Sequence, residues 1–194
     1  GGKTWSHIGL PMSRHIAEIR IHPQNPDIVF VAVQGALHGP SADRGIYKTL
    51  DGGKTWKKIF YIDQNTGCAD LSMDAHNPRI LYAGMWDHRR TPWQVRSGGT
   101  GSGLYKSTDG GESWEQLEEG LPEELGKVSI DVSRANSNVV YANIEAEGEK
   151  AGVYRSDDAG ETWKQTTKDR ITIARSWYYI EIFADPINEN TVYV

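Results

Sequence analysis

Gly45-Ile46-Tyr47-Lys48-Thr49-Leu50-Asp51-Gly52-Gly53-Lys54-Thr55-Trp56 returns twice without a gap. The second copy is Gly103-Leu104-Tyr105-Lys106-Ser107-Thr108-Asp109-Gly110-Gly111-Glu112-Ser113-Trp114, and the third is Gly152-Val153-Tyr154-Arg155-Ser156-Asp157-Asp158-Ala159-Gly160-Glu161-Thr162-Trp163. Gly1-Gly2-Lys3-Thr4-Trp5 repeats the tail of the same pattern, so the closing Trp residues stand 51, 58 and 49 residues apart. Between the copies a turn followed by a short apolar run also recurs: Asn25-Pro26-Asp27 before Ile28–Val31, Asn77-Pro78-Arg79 before Ile80–Ala83, Asn136-Ser137-Asn138 before Val139–Ala142, and Asn188-Glu189-Asn190 before Thr191–Val194. A fixed period of this length sets architecture before local propensity does.

Each unit reads as four short strands. They are predicted near 16–22, 28–34, 45–50 and 55–61, near 69–74, 80–86, 103–108 and 113–117, and near 127–133, 139–145, 152–157 and 162–167. Residues 3–8 read as the last strand of an earlier unit, and 176–184 with 191–194 as the start of a later one. In Ile16–Ile21 the alternation places Ala17, Ile19 and Ile21 on one face, and no long segment has a helical period. Four strands repeating about every 50 residues is the pattern of β-propeller blades, small twisted sheets that bury their faces only by stacking. The expected fold is an all-β propeller fragment of four-stranded antiparallel blades: a last strand over 1–10, blades about 14–62, 67–118 and 126–168, and the start of a further blade over 174–194. Three complete blades are too few to close a ring. The rest of the same propeller or a partner protein is expected to supply the others.

The composition agrees. Seven Trp, nine Tyr and 21 Gly suit strands joined by tight turns. A net charge of −5 with scattered basic residues excludes the cationic stripe of a nucleic-acid binder. No apolar run reaches the length of a membrane-spanning helix. Cys68, the single cysteine, has no disulfide partner within the chain, and no Cys/His cluster has zinc-ligand spacing. No cofactor is called for.

Every residue type in the repeated turn has a mechanical task. Asp51, Asp109 and Asp158 can accept hydrogen bonds from backbone N–H groups within their turns. Gly53, Gly111 and Gly160 supply positive φ. Trp56, Trp114 and Trp163 cover the turns with a large ring and are expected to be buried. This Ser/Thr-x-Asp-x-Gly-x-Thr/Ser-Trp pattern resembles the Asp-box, or BNR, repeat. The repeat is shared by sialidases, xyloglucan-degrading glycoside hydrolases, sortilin-type receptor propellers and many secreted bacterial proteins. The resemblance implies that the box is a structural turn at the blade periphery, and that the protein is secreted or lies in the periplasm or cell envelope. Asp157, Asp158 and Glu161 form the one acidic cluster that could hold calcium, but they lack the alternation of an EF-hand loop, so no metal site is assigned.

Function is expected on the opposite end of the blades, where the loops between second and third strands vary. The longest of these runs from Trp86 to Ser102 and concentrates Trp86, His88, Arg89, Arg90, Trp93 and Arg96. The preceding blade brings His38, Asp43 and Arg44, which should approach it. Arginine forks a carboxylate, and Trp stacks on a sugar ring or anchors a protein. The alternative task for such a loop is simply to pack over its neighbour. Asp70, on an inner strand, is the weak candidate for a catalytic carboxylate, although an Asp so placed more often bonds backbone near the channel. The sialidase resemblance implies an Arg-Ile-Pro motif, which this sequence lacks, and the xyloglucanase resemblance implies a cleft between two propellers. The reading is therefore a binding or scaffold segment contacting protein or glycan, with a fragment of a glycoside hydrolase as the alternative.

Overall fold

A computed structural model describes residues 2–194. Three antiparallel sheets follow one another along the chain. The first blade is β1 (Ile16–Ile21), β2 (Val29–Val33), β3 (Gly45–Thr49) and β4 (Lys57–Phe60), paired in that order. The second is β5 (Thr66–Met73), β6 (Leu81–Arg90), β8 (Gly103–Ser107) and β9 (Glu115–Leu117), with β7 (Val95–Ser97) paired to the far end of β6. The third is β10 (Val128–Val132), β11 (Val140–Ile144), β12 (Gly152–Ser156) and β13 (Lys164–Thr167). A pair, β14 (Phe183–Ala184) and β15 (Val192–Tyr193), begins a fourth sheet. The described residues contain no α-helix, only short 3-10 turns at Gly148–Lys150 and Arg170–Ile173.

The strand pattern differs from expectation in three places. Residues 3–8 form no strand, because no described strand lies beside them to pair with. The strand expected over 176–184 shrinks to Phe183–Ala184, the segment before it being a turn closed by an Arg175–Tyr179 bridge. β6 runs on to Arg90 and folds back as β7, where a loop was expected.

Packing between blades explains the apolar runs. Along Val29-Phe30-Val31-Ala32-Val33, Phe30 and Ala32 point into a core with Leu71, Leu81, Ala83 and Met85 of the second blade. Val31 and Val33 point the other way, towards Leu10, Tyr47 and Trp56. The next core joins Tyr82 and Leu104 to Ile130, Val140, Ile144 and Trp163. The face predicted from Ile16–Ile21 exists, but Ile19 and Ile21 are exposed, since no described sheet stacks on it.

Polar bonds also join neighbouring blades, among them one from Ser72 Oγ to Asp131 Oδ1 (2.8 Å). On the inner strands, Asp70 Oδ2 accepts from Ser129 Oγ (2.7 Å) and Ile130 N (2.8 Å). Ser129 Oγ accepts from Ile182 N (3.1 Å). Two residues along, Ser72 Oγ accepts from Val132 N (3.2 Å), and Asp131 Oδ2 accepts from Ala184 N (3.0 Å). An oxygen of the earlier blade thus satisfies an inner-edge N–H of the later one, and these donors would otherwise be left unpaired. On the third strands, Lys48 reaches Gly110 O (2.8 Å) and Glu112 (3.4 Å) of the next box, and Lys106 reaches Glu161 (2.7 Å). The first box carries Lys54 where the other two carry Glu112 and Glu161.

Candidate functional site

The three box turns are built alike. Thr49, Ser107 and Ser156 hydroxyls donate to Asp51, Asp109 and Asp158 (2.7, 2.9 and 2.7 Å). The same Asp residues accept from the backbone N–H and the hydroxyl of Thr55, Ser113 and Thr162. Gly53, Gly111 and Gly160 have φ of +88°, +88° and +94° and donate back to the leading hydroxyl. The bonds from Thr55 hold the Asp51 carboxyl down to about 2, and those from Thr162 do the same for Asp158, while Ser113 lowers Asp109 as well. Acids held ionised in this way brace a turn and are poor proton donors. Trp163 is 3% exposed, whereas Trp56 and Trp114 are only half-buried, a correction to the expected burial of all three. Trp114 stacks on Phe60 with ring centroids 5.0 Å apart, and Trp56 donates to Ile8 O (2.9 Å). The acidic trio of the third box is already partnered: Asp157 by Arg155 (2.7 Å), Asp158 by its own turn and Glu161 by Lys106.

At the other end of the second blade, β6 and β7 form a hairpin with His88 opposite Ser97, Arg89 opposite Arg96 and Arg90 opposite Val95. Pro92 and Trp93 make the turn between Thr91 and Gln94, where Thr91 N donates to Gln94 O (2.8 Å). Alternation then divides the residues into two faces. One face is bound into the fold. Trp86 is buried, donates to Ser97 Oγ (2.9 Å) and stacks on His88 at 3.8 Å. Ser97 Oγ donates to Glu145 of the third blade (2.5 Å). Arg90 donates to Tyr178 Oη (2.8 Å), and its guanidinium lies 5.3 Å from that ring. The backbone of Arg90 pairs with Leu37 O (2.8 Å), and His38 Nδ1 donates to Arg90 O (3.1 Å). The hairpin is therefore pinned to the first, third and fourth blades.

The other face carries Arg89 and Arg96 side by side. Both are exposed, and Trp93 at the turn is 83% exposed. A depression of about 200 Å³ is lined by Arg89, Thr91, Gln94 and Arg96. Asp87, at the root of the hairpin, forms an ion pair with Arg96.

Three sequence candidates turn inward instead of facing a ligand: Trp86, Arg44 and His88. Arg44 is 1% exposed and donates to Gln34 O (2.8 Å), Ala36 O (2.6 Å) and His88 O (3.1 Å), tying the first blade to the second. His88 is 4% exposed, donates from Nδ1 to Arg96 O (3.1 Å), and is pushed down to about 4, by burial first and by Arg44 and Lys127 in addition. His88 turns inward because it lies on a paired strand, which sends alternate side chains into the fold, and Arg44 because the carbonyls of its own loop close around it. Asp43 donates from its backbone to Ser41 Oγ (3.2 Å), and among the described residues no hydrogen bond or ion pair joins its side chain to the hairpin. The contributions of Tyr178 and Glu145 were missed. Only the run Tyr178-Tyr179 beside Trp177 hinted at the first.

On the inner strands a channel-side cavity of about 400 Å³ is lined by residues including Glu18, Arg20, Asp70, Ser72, Asp131 and Glu181. Burial raises the Asp131 and Glu181 carboxyls. Both oxygens of Asp70 accept hydrogen bonds, Oδ1 from Leu71 N (2.8 Å) and Oδ2 across the blade junction, so Asp70 is a joint between blades. Among the described residues no group of three His, Cys, Asp or Glu could hold a metal ion, and no helix is long and apolar enough to cross a membrane.

A family model described as Sortilin, neurotensin receptor 3 (Sortilin-Vps10) matches residues 1–151. The chain belongs to the Sortilin-Vps10 family. A BNR/Asp-box repeat model matches residues 154–165 of this Sortilin-Vps10 chain, over the third box. No curated protein matches it. Solved structures share its fold. The GH74 xyloglucanase from Xanthomonas campestris superposes with a TM-score of 0.65 at 15% identity, over 91% of this chain and 26% of that one. The GH74 enzyme from Niastella koreensis gives 0.63 at 22% identity, over 91% and 27%. YCF48 from Cyanidioschyzon merolae gives 0.56 at 17% identity, over 90% and 47%. The chain thus spans less than half the length of each, and at these identities the likeness is one of β-propeller fold.

Proposed function

We propose that this Sortilin-Vps10 segment is a binding part of a larger propeller protein, secreted or in the cell envelope, and that it contacts protein or glycan through its 2–3 loops without breaking bonds. The β6–β7 hairpin is the observation that carries this reading. One of its faces is bonded to three other blades, which holds it rigid. The other presents Arg89, Arg96 and Trp93 to solvent, and a preorganised cationic and aromatic surface is suited to recognition. The test is a glycan array and a protein-binding screen with the full-length protein and its Arg89→Ala/Trp93→Ala variant. Loss of one specific ligand with unchanged melting supports the reading. The same ligands bound equally by both proteins refute it.

A second reading, a glycoside hydrolase fragment, draws on the channel-side carboxylates Asp70, Asp131 and Glu181 and on the likeness to GH74 enzymes. It is weakened by the engagement of Asp70 in structural bonds. Hydrolysis of xyloglucan by the full-length protein, abolished by Asp70→Asn while the fold persists, would establish it.

A further inference from the structure

We infer that the open face of the β6–β7 hairpin is a receptor for the carboxylate of an acidic glycan, a uronate ring seated between Arg89 and Arg96; this rests on the binding role proposed above. Arg89 and Arg96 stand directly opposite each other in the ladder. Like charges in that position repel and destabilise a hairpin, so the pair needs a counter-ion. Asp87 supplies one negative charge, to Arg96, and among the described residues no acidic side chain forms an ion pair with Arg89. The face therefore keeps one uncompensated positive charge beside a neutralised one. The fork of Arg89 and the donors that Arg96 keeps beyond its bond to Asp87 flank the depression, and a planar carboxylate accepts from such donors.

The dimensions favour a sugar ring over a peptide. The depression holds about 200 Å³ and is lined by four residues, room for about one ring, whereas a protein interface covers roughly 800 Å² on each side. Thr91 and Gln94 add a hydroxyl and an amide at its rim, suited to ring hydroxyls. Trp93, at the turn between them, offers an exposed flat ring on which the neighbouring residue of an oligosaccharide can stack. The pinned opposite face means that little ordering is required on binding, since Arg90, Ser97 and Trp86 already fix the strands.

The test titrates the full-length protein, at low ionic strength, with oligogalacturonide and oligoalginate, with the methyl-esterified oligogalacturonide, and with a poly-glutamate peptide. Both acidic glycans, or one of them, should bind, and esterification should abolish binding. Arg89→Ala should weaken affinity about tenfold or more, Arg89→Lys should restore only part of it, and Trp93→Ala should weaken it with an unchanged melting curve. Three results overturn the inference: no binding of either acidic glycan, equal binding of the esterified form, or poly-glutamate binding as tightly as the glycans. If another ligand is found whose binding falls on Trp93→Ala but is indifferent to carboxylates, the binding role stands and the uronate site falls. If no ligand depends on the hairpin at all, both fall.

Discussion

At one end of the blades, three turns separated by about 50 residues repeat the same bonds almost atom for atom, from the Thr49, Ser107 and Ser156 hydroxyls through their Asp to Thr55, Ser113 and Thr162. At the other end the three connections share nothing. Residues 34–44 wrap the buried Arg44, 88–97 rise as a hairpin, and 145–151 close through a short 3-10 turn. The box turn is closed by bonds between residues two to four apart, so each copy folds the same way wherever it is placed. The first two 2–3 connections draw in addition on partners 44 to 88 residues away, as in Arg44 to His88 O, Ser97 to Glu145 and Arg90 to Tyr178. Local encoding gives repetition, and non-local encoding gives individuality.

The largest effect should come from the repeated end. Trp163→Ala should cost roughly 3–5 kcal/mol in urea unfolding, because Trp163 fills the core between the second and third blades. Trp56→Ala, at a half-buried ring, should cost about 1–2 kcal/mol. Equal losses would mean that the boxes do not differ in burial as described.

Acid should separate the two ends by pH. His88, pushed down to about 4, binds fewer protons folded than unfolded between its ordinary value near 6.5 and 4. The stability tied to its neutral form is therefore fully present above about pH 6.5 and is lost as pH falls to about 4, on the order of 3 kcal/mol in all. His88→Gln should flatten the pH dependence across that window. Asp51 and Asp158, held down to about 2, contribute stability present above about pH 4 and lost only as pH falls through 2. A stability curve flat from pH 7 to 4 would break this separation.

Between the two ends lies the inner-strand joint. Asp70→Ala leaves Leu71 N, Ser129 Oγ and Ile130 N without their acceptor and should cost about 2 kcal/mol by thermal unfolding. The smallest effect belongs to the open face of the hairpin. Arg89→Ala and Trp93→Ala should each change stability by less than about 0.5 kcal/mol, since neither side chain packs into the fold. A larger loss would show that this face supports structure.

The same contrast explains what could be read from the sequence. The Asp, Gly and Trp spacing carried the fold, because each box closes on itself, and strand positions followed from alternation beside it. β7 was not legible: Val95-Arg96-Ser97 is too short to show a period, and its pairing depends on β6 continuing beyond the blade. His88 looked like a surface group because its orientation depends on register, and Arg44 because its burial depends on how residues 34–44 fold around it; composition reveals neither. Arg89, Arg96 and Trp93 were found correctly as exposed residues, yet their grouping on one face emerged only with the ladder. Burial of the box Trp residues was over-read, since it depends on what stacks outside each blade.

At the two later junctions the inner strands meet head-to-tail, with side-chain oxygens of one blade facing backbone N–H groups of the next. A heterologous contact of this kind repeats in one direction, and an assembly built on it closes into a ring or grows. Glu112 and Glu161 each receive a lysine from the blade before them, and a neighbour carrying Lys or Arg at that place would meet Lys54 with like charge. Lys54 therefore offers no acceptor to such a neighbour, which sets the first box apart from the two that follow it.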